Sequence, residues 1–171
     1  MLKTFMKLVR PFMIMVVIVA VFLLALHLVN GLTRNKEPQP APPLVGTTPE
    51  GTLYALADNY GKQGTVLVFF DPFNQDTVEH LTEIAAQNQG RVDVMGVVVS
   101  QEALTDQQAK VGELALTGVR VLYDPDGTIA KTYGISGVPV TYFIDKNTQI
   151  VDAHLSGISS KTLEKAITAI A

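Results

Sequence analysis

Asp76, Thr77 and His80 put a carboxylate, a hydroxyl and an imidazole into one short stretch of sequence. On a helix, residues three and four apart meet on one face, so these are the group types that nucleophilic hydrolysis needs. Helix neighbours rarely give the geometry in which a base binds the nucleophile and a third group orients the base. No motif for an oxyanion hole accompanies them. A solvated helix start is the reading these residues favour. His27, His80 and His154 are too scattered to match metal-ligand spacing, and no metal site is expected. Asp124, Asp126 and Gly127 make a fragment of a calcium loop that lacks the other oxygen ligands and the terminal Glu. They read as a turn between a strand and a helix.

The chain of 171 residues contains no cysteine. Disulfides, thiolate nucleophiles, Cys-ligated zinc and lipidation on Cys are therefore excluded together. Nothing in the sequence asks for a cofactor. The formal net charge of −3 conceals an asymmetry. Lys3, Lys7, Arg10, Arg34 and Lys36 precede Leu44 with a single acid, Glu37, whereas eight cations face fifteen acids from Leu44 onward. An acidic domain without a basic patch excludes a nucleic-acid partner, because phosphate binding needs clustered Lys and Arg.

The length suggests one domain with an accessory segment. Phe12 to Val29 is apolar except for His27. A helix of that length spans about 27 Å, close to the hydrocarbon core of a bilayer. A secretory signal peptide shares the basic start but has a shorter apolar run and a small-x-small cleavage site, which Leu26–Gly31 lacks. An uncleaved anchor is the favoured reading, with His27 at the interface. Three cations precede the span, and Arg34 and Lys36 follow it, so the N-terminus is expected inside and the domain outside the cytoplasm. The expected organisation is a basic segment at 1–11, a transmembrane anchor at 12–29, a Pro-rich spacer at 30–43 and a folded domain at 44–171. Pro38, Pro40, Pro42 and Pro43 make the spacer extended and semi-rigid.

Within the domain, Val66 to Phe70 is apolar without alternation, as in a strand buried on both faces. A turn at Asp71–Pro72–Phe73 leads into a helix that starts near Asn74 to Asp76. Asp76 with Glu79 fits a capping box, and Asn74 is an alternative cap. Val78, Leu81, Ile84 and Ala85 give that helix an apolar face, and it stops near Gln89–Gly90. Val92 to Val99 is a second buried strand, completing a βαβ unit with parallel strands. Before this unit, Leu44 to Tyr54 reads as a small extended pair around Pro49–Glu50–Gly51, and Leu56 to Gly64 as a short helix or loop. After it come a helix at Thr105 to Glu113, capped by Thr105 or Asp106, a strand at Val119 to Tyr123, and a short helix at Thr128 to Tyr133. Val140 to Ile144 and Ile150 to Leu155 form a hairpin across Asp145–Lys146–Asn147–Thr148. Ser159 or Ser160 caps a last helix with Leu163, Ala166, Ile167 and Ile170 on one side.

This order is thioredoxin-like: α/β, with a central mixed β-sheet flanked by helices. VLVFF before the turn, YGISGVPVTYFID with Pro139, and HLSGI together resemble membrane-anchored thiol–disulfide oxidoreductases of the ResA and TlpA type. The resemblance covers Leu44 to Ala171 and implies a cis-proline at Pro139, facing the turn where the family carries its Cys-x-x-Cys pair. Asn74 and Thr77 stand at the two Cys positions, and neither can form a mixed disulfide. A peroxiredoxin reading fails for want of its peroxidatic Cys. Asp76 instead suits a helix start, where an anionic side chain is stabilising.

What the resemblance implies is a redoxin-family domain tethered to the membrane through Phe12–Val29, outside the cytoplasm and without redox cysteines. No catalytic residue is expected. In the family the cis-proline loop pairs with extended substrate backbone, so Phe73, Asn74, Asp76, Val138 and Pro139 are the expected peptide groove, with extracytoplasmic proteins or peptides as partners. The alternative is a thiol–disulfide oxidoreductase by lineage whose own thiol chemistry is lost. A purely structural domain is the third reading.

Overall fold

The computed structural model describes residues 38–171. The span at Phe12–Val29, its orientation and the basic segment before it lie outside the described residues. Among the described residues, no helix is long and apolar enough to cross a membrane.

Strand β4 (Thr65–Phe70) is buried along its whole length and sits, among the described residues, inside an eight-stranded sheet whose order is β1 (Gln39–Pro40), β8 (Gln149–His154), β7 (Val140–Ile144), β4, β5 (Asp93–Val98), β6 (Arg120–Tyr123), β2 (Val45–Thr47) and β3 (Leu53–Ala55). It runs parallel to β5 (Asp93–Val98) and antiparallel to β7 (Val140–Ile144). The crossover from β4 to β5 is helix α1 (Gln75–Asn88), as the βαβ pattern requires. Strand β6 (Arg120–Tyr123) extends the parallel side, followed by β2 (Val45–Thr47) and β3 (Leu53–Ala55). On the other side, β8 (Gln149–His154) pairs with β7 across the Asp145–Thr148 turn. The expected mixed sheet and its hairpins are present, with most strand ends within one residue of the sequence reading.

The absence of alternation in β4 has a direct cause. Val66, Val68 and Phe70 point to one face, where they pack with Leu81 and Ile84 of α1, Val111 of α2 (Leu104–Leu114), and Leu163 and Ile167 of α4 (Ser160–Ile170). Leu67 and Phe69 point to the other face, against Met95, Val97, Leu122, and Ile129 of α3 (Thr128–Thr132). Period-two alternation still operates, but both faces are covered, so both sets are apolar. Full burial of one such side chain stabilises by about 1.5–3 kcal/mol. Gly96 sits in close packing on the first of these faces. A Cβ there would stand 2.9 Å from Phe70 Cε1 and 3.1 Å from Leu81 Cδ2, so the aromatic ring occupies the space a side chain would need.

The helix ends separate the alternative caps. Asn74 caps α1, its side chain accepting from the Asp76 N–H at 3.1 Å. Glu79 does not close a capping box; its carboxylate accepts instead from the Gln75 amide at 2.7 Å. Gln89, in the left-handed region at φ 51°, ends the helix, and Gly90 follows at φ 76°. Ser159 caps α4 by accepting from the Thr162 N–H. Neither Thr105 nor Asp106 caps α2. That helix begins one residue earlier, its N-cap position is Ala103 with no side-chain bond, and the buried Gln107 amide reaches back to the Glu102 carbonyl at 2.7 Å.

Part of the stretch read as a spacer is tied to the domain. β1 (Gln39–Pro40) pairs with β8, the Ala41 N–H donates to the Thr148 carbonyl at 2.8 Å, and the Tyr133 hydroxyl donates to the Pro42 carbonyl at 2.8 Å. Pro40 sits on an edge strand, where its missing N–H costs no ladder bond.

Candidate functional site

The register of β4 against β7 fixes where the turn and Pro139 meet. Phe69 pairs with Val140 and Val68 with Thr141, so Pro139 comes opposite the end of β4, where the chain enters the turn at Asp71. The Val138–Pro139 peptide bond is cis, as the resemblance implies. The turn itself is stapled by its own polar side chains. The Asp71 carboxylate accepts from the Phe73 N–H at 3.0 Å. The Thr77 hydroxyl accepts from the Asp71 N–H at 3.1 Å and lies 2.7 Å from the Asp71 carbonyl and 2.9 Å from that of Asn74.

These contacts describe the two positions at which the resemblance expects the family cysteines. Asn74 is exposed and used as a helix cap, while Thr77 is 1% exposed with its hydroxyl turned into the loop backbone. A threonine side chain is short and carries a donor and an acceptor together, so it closes a tight turn from inside. The position therefore serves the local fold.

His80 turns elsewhere. Its ring is buried, and Nε2 lies 2.9 Å from Thr141 Oγ1, joining the second turn of α1 to β7. Burial pushes its pKa down, only partly opposed by the Glu83 carboxylate. Asp76 faces solvent. The carboxylate, hydroxyl and imidazole thus have three separate surroundings, and no nucleophile–base pair forms between Thr77 and His80. Asp124 and Asp126 act as turn residues, as read from sequence. Asp124 accepts from the N–H groups of Ile129 and Ala130 at 3.0 and 2.8 Å, and Asp126 from that of Thr128 at 3.1 Å. Among the described residues, no group of three or more His, Asp or Glu side chains is arranged to hold a metal ion.

Of the five groove residues, Phe73, Val138 and Asp76 border three different hollows, and Asn74 and Pro139 line none of these three. Phe73, 45% exposed, faces Val99 to Glu102 beyond β5 across a hollow of about 420 Å³. Val138 borders a smaller one, about 240 Å³, with Ile135, Tyr142 and Leu155. Asp76 borders a third of about 430 Å³, between α1 and Gly157–Ser159, with Glu79, His80 and Glu83. Phe69, Tyr133 and Tyr142 cluster with ring centres 5.3–6.1 Å apart, the Phe69–Tyr133 pair tilted and the two pairs with Tyr142 edge-on. The Tyr142 hydroxyl donates to the Tyr133 carbonyl at 3.1 Å.

Sequence reasoning missed three features here. The Thr141 hydroxyl was visible only as part of a motif, and its partner lies 61 residues away. Leu155, 79% exposed beside Val138, carries one signal a sequence can show, a large apolar residue just past a strand end. At the opposite end of the strands, Asp93 accepts from Asn59 Nδ2 at 2.9 Å and Tyr54 Oη at 3.3 Å, and Arg120 Nε stands 3.5 Å away. The Arg120 guanidinium lies 4.2 Å over the Tyr54 ring. Burial, then the Asp93 charge, pushes the Tyr54 pKa up to about 12.

Known structures share this fold. The chain is similar to an exposed lipoprotein thioredoxin of Streptococcus pneumoniae, at 22% identity over 74% of this chain and 98% of that one, with a TM-score of 0.64. It is also similar to a thiol:disulfide interchange protein of the thioredoxin family from Chlorobium tepidum, at 17% identity over 78% and 97% with a TM-score of 0.65. A secreted disulfide oxidoreductase of Mycobacterium tuberculosis aligns at 20% identity over 74% and 95%, with a TM-score of 0.61. No curated protein matches the chain by sequence. The thioredoxin-like fold is thus established from the sheet order and from its neighbours. Residues 38–153 match the AhpC/TSA family model, and with more than half of its length covered the chain belongs to the AhpC/TSA family.

Proposed function

We propose that this protein is a thiol-free thioredoxin-like module that binds an extended peptide or protein segment beside the Pro139 loop. One observation carries the reading. The backbone N–H and carbonyl groups of Gly137 and Val138 make no hydrogen bond to other described residues, while the turn they adjoin is fully stapled. Exposed backbone groups at the end of a sheet are a template for strand addition, with flanking hollows to receive alternate side chains. Phe73, Asn74, Asp76, Val138 and Pro139 form the proposed binding end. The apolar run at Phe12–Val29 supports a membrane tether with the domain outside the cytoplasm.

The test is titration of the purified full chain, in detergent micelles, with extended peptides while backbone amide signals are followed. Shifts should concentrate at Phe73, Asn74 and the Gly137–Val138 loop. Shifts confined to other faces of the domain would remove this reading. A thiol–disulfide oxidoreductase reading rests on family membership, and insulin reduction discriminates it. A chain without cysteine has no thiolate to attack a disulfide, so no turnover above the reductant blank is expected.

A further inference from the structure

We infer that the hollow along β6 is a binding site for a small organic amine, whose ammonium head sits between Glu50 and the Tyr123 hydroxyl and whose apolar body lies on Val111 and Val119. The site is separate from the proposed peptide-binding end, because β6 stands three strands from β7, the strand that follows Pro139.

The hollow is a consequence of strand pairing. β6 pairs with β5 over four residues, Arg120 to Tyr123, but meets β2 only at Tyr123, opposite Thr47. The β2–β3 hairpin therefore leaves the outer side of Arg120 and Val121 without a strand, and α2 closes the gap only in part. About 610 Å³ stays open there, a volume in the range of small-molecule sites. Gly112, in the last turn of α2, keeps that wall bare, since a Cβ on it would meet nothing within 4 Å. A helical glycine costs about 0.8–1.0 kcal/mol relative to alanine, and no close packing at Gly112 accounts for it.

Val111, Leu116, Val119 and Val121 make the lining apolar. Two polar groups in it lack an answer from the protein. Tyr123 is 4% exposed, yet its hydroxyl makes no hydrogen bond to another described residue. Among the described residues no enclosed side-chain polar atom is without a partner, so that hydroxyl is open, and the hollow is where Tyr123 meets open space. Burial, then the Glu50 charge, pushes the Tyr123 pKa up, so the Glu50 carboxylate acts on this hydroxyl across the hollow. Glu50 belongs to none of the ion pairs among the described residues. The one cation among the lining residues, Arg120, is already answered by Asp93 at 3.5 Å and by the Tyr54 ring at 4.2 Å.

An ammonium head suits this pair. It donates to the Glu50 carboxylate and to a lone pair of Tyr123 Oη, and its apolar body covers the valines. A carboxylate head would face Glu50 and Asp93 with Arg120 already engaged, and a hydroxyl head would leave the Glu50 charge unanswered. A bare metal ion finds no ligand set among the described residues.

The experiment uses the full chain in nonionic detergent micelles and three probes with one apolar body: cyclohexylmethylamine, cyclohexylmethanol and cyclohexanecarboxylate. Backbone amide signals of Gly112, Gly118 and Val119 are followed at neutral pH and low salt. The amine should give saturable shifts there and bind about tenfold more tightly than the alcohol. The carboxylate should bind more weakly than either, and added salt should shrink the difference. Glu50→Gln, at an exposed turn, should bring the amine to the level of the alcohol. Tyr123→Phe removes only the hydroxyl and should weaken the amine about fivefold. Equal binding of amine and alcohol, an amine preference that survives both substitutions, or no saturable shift with any probe would overturn the proposal.

Discussion

His80 Nε2 stands 2.9 Å from Thr141 Oγ1, and both residues are buried, so one hydrogen bond ties α1 to β7 directly below the Pro139 loop. The bond couples the turn-bearing helix to the strand that presents the cis-proline. A neutral imidazole fits this site, because burial holds its pKa below the ordinary histidine value of 6.5.

The sign of the resulting pH dependence follows from linkage. The unfolded chain takes up the His80 proton at a higher pH than the folded chain does, so protons favour unfolding across the interval between the two pKa values. The contribution is fully present above the unfolded value of about 6.5 and is lost as pH falls through the lowered folded value. Urea unfolding from pH 8 to pH 5 should show stability falling with acid, and His80→Gln should flatten that fall. An unchanged slope in the variant would assign the acid sensitivity to other groups.

Asn74 and Thr77 stand where the resemblance expects the two family cysteines. The first residue sits at the N-terminus of α1, where the helix dipole and free N–H groups lower a thiol pKa. The double variant Asn74→Cys/Thr77→Cys is therefore expected to reduce insulin, a reaction for which the natural chain has no thiol. Loss of the Thr77 staple should make it less stable by about 1–3 kcal/mol when reduced, since the Asp71 N–H loses its buried acceptor. Denaturant midpoints with and without reductant measure both effects.

Asp93 is the acceptor on which Asn59, Tyr54 and Arg120 converge. Asp93→Ala removes one of two acceptors from the Asn59 amide, which keeps Thr65 Oγ1 at 2.9 Å, and leaves the Tyr54 hydroxyl its bond to Asn59 Oδ1 at 2.8 Å, so it should destabilise the domain by about 1–3 kcal/mol, the loss of one charge-assisted hydrogen bond. It should also lower the Tyr54 pKa from about 12, because the second cause of its elevation is removed. An ultraviolet pH titration reads that shift. The Tyr54 contribution is present below the ordinary value of 10 and is lost as pH rises through the folded value, so the wild type should lose stability at high pH and the variant less so.

The sequence by itself determined the elements and the chemistry that is absent. The short, β-branched apolar runs at Val66–Phe70 and Val92–Val99, bounded by turn residues, read as strands covered on both faces, and the absence of cysteine removed thiol exchange by the chain's own side chains. Caps were legible as short sets of alternatives, because a cap is a contact among residues two or three apart. Only the tertiary structure chose Asn74 over Asp76 and passed over Thr105 and Asp106 for Ala103. It alone turned Thr77 inward and His80 toward Thr141, and it spread Phe73, Val138 and Asp76 over three hollows. The reason is range. Periodicity and capping act within a turn or two of chain, whereas a side chain's partner across the sheet depends on strand register, and register is settled when both faces pack at once.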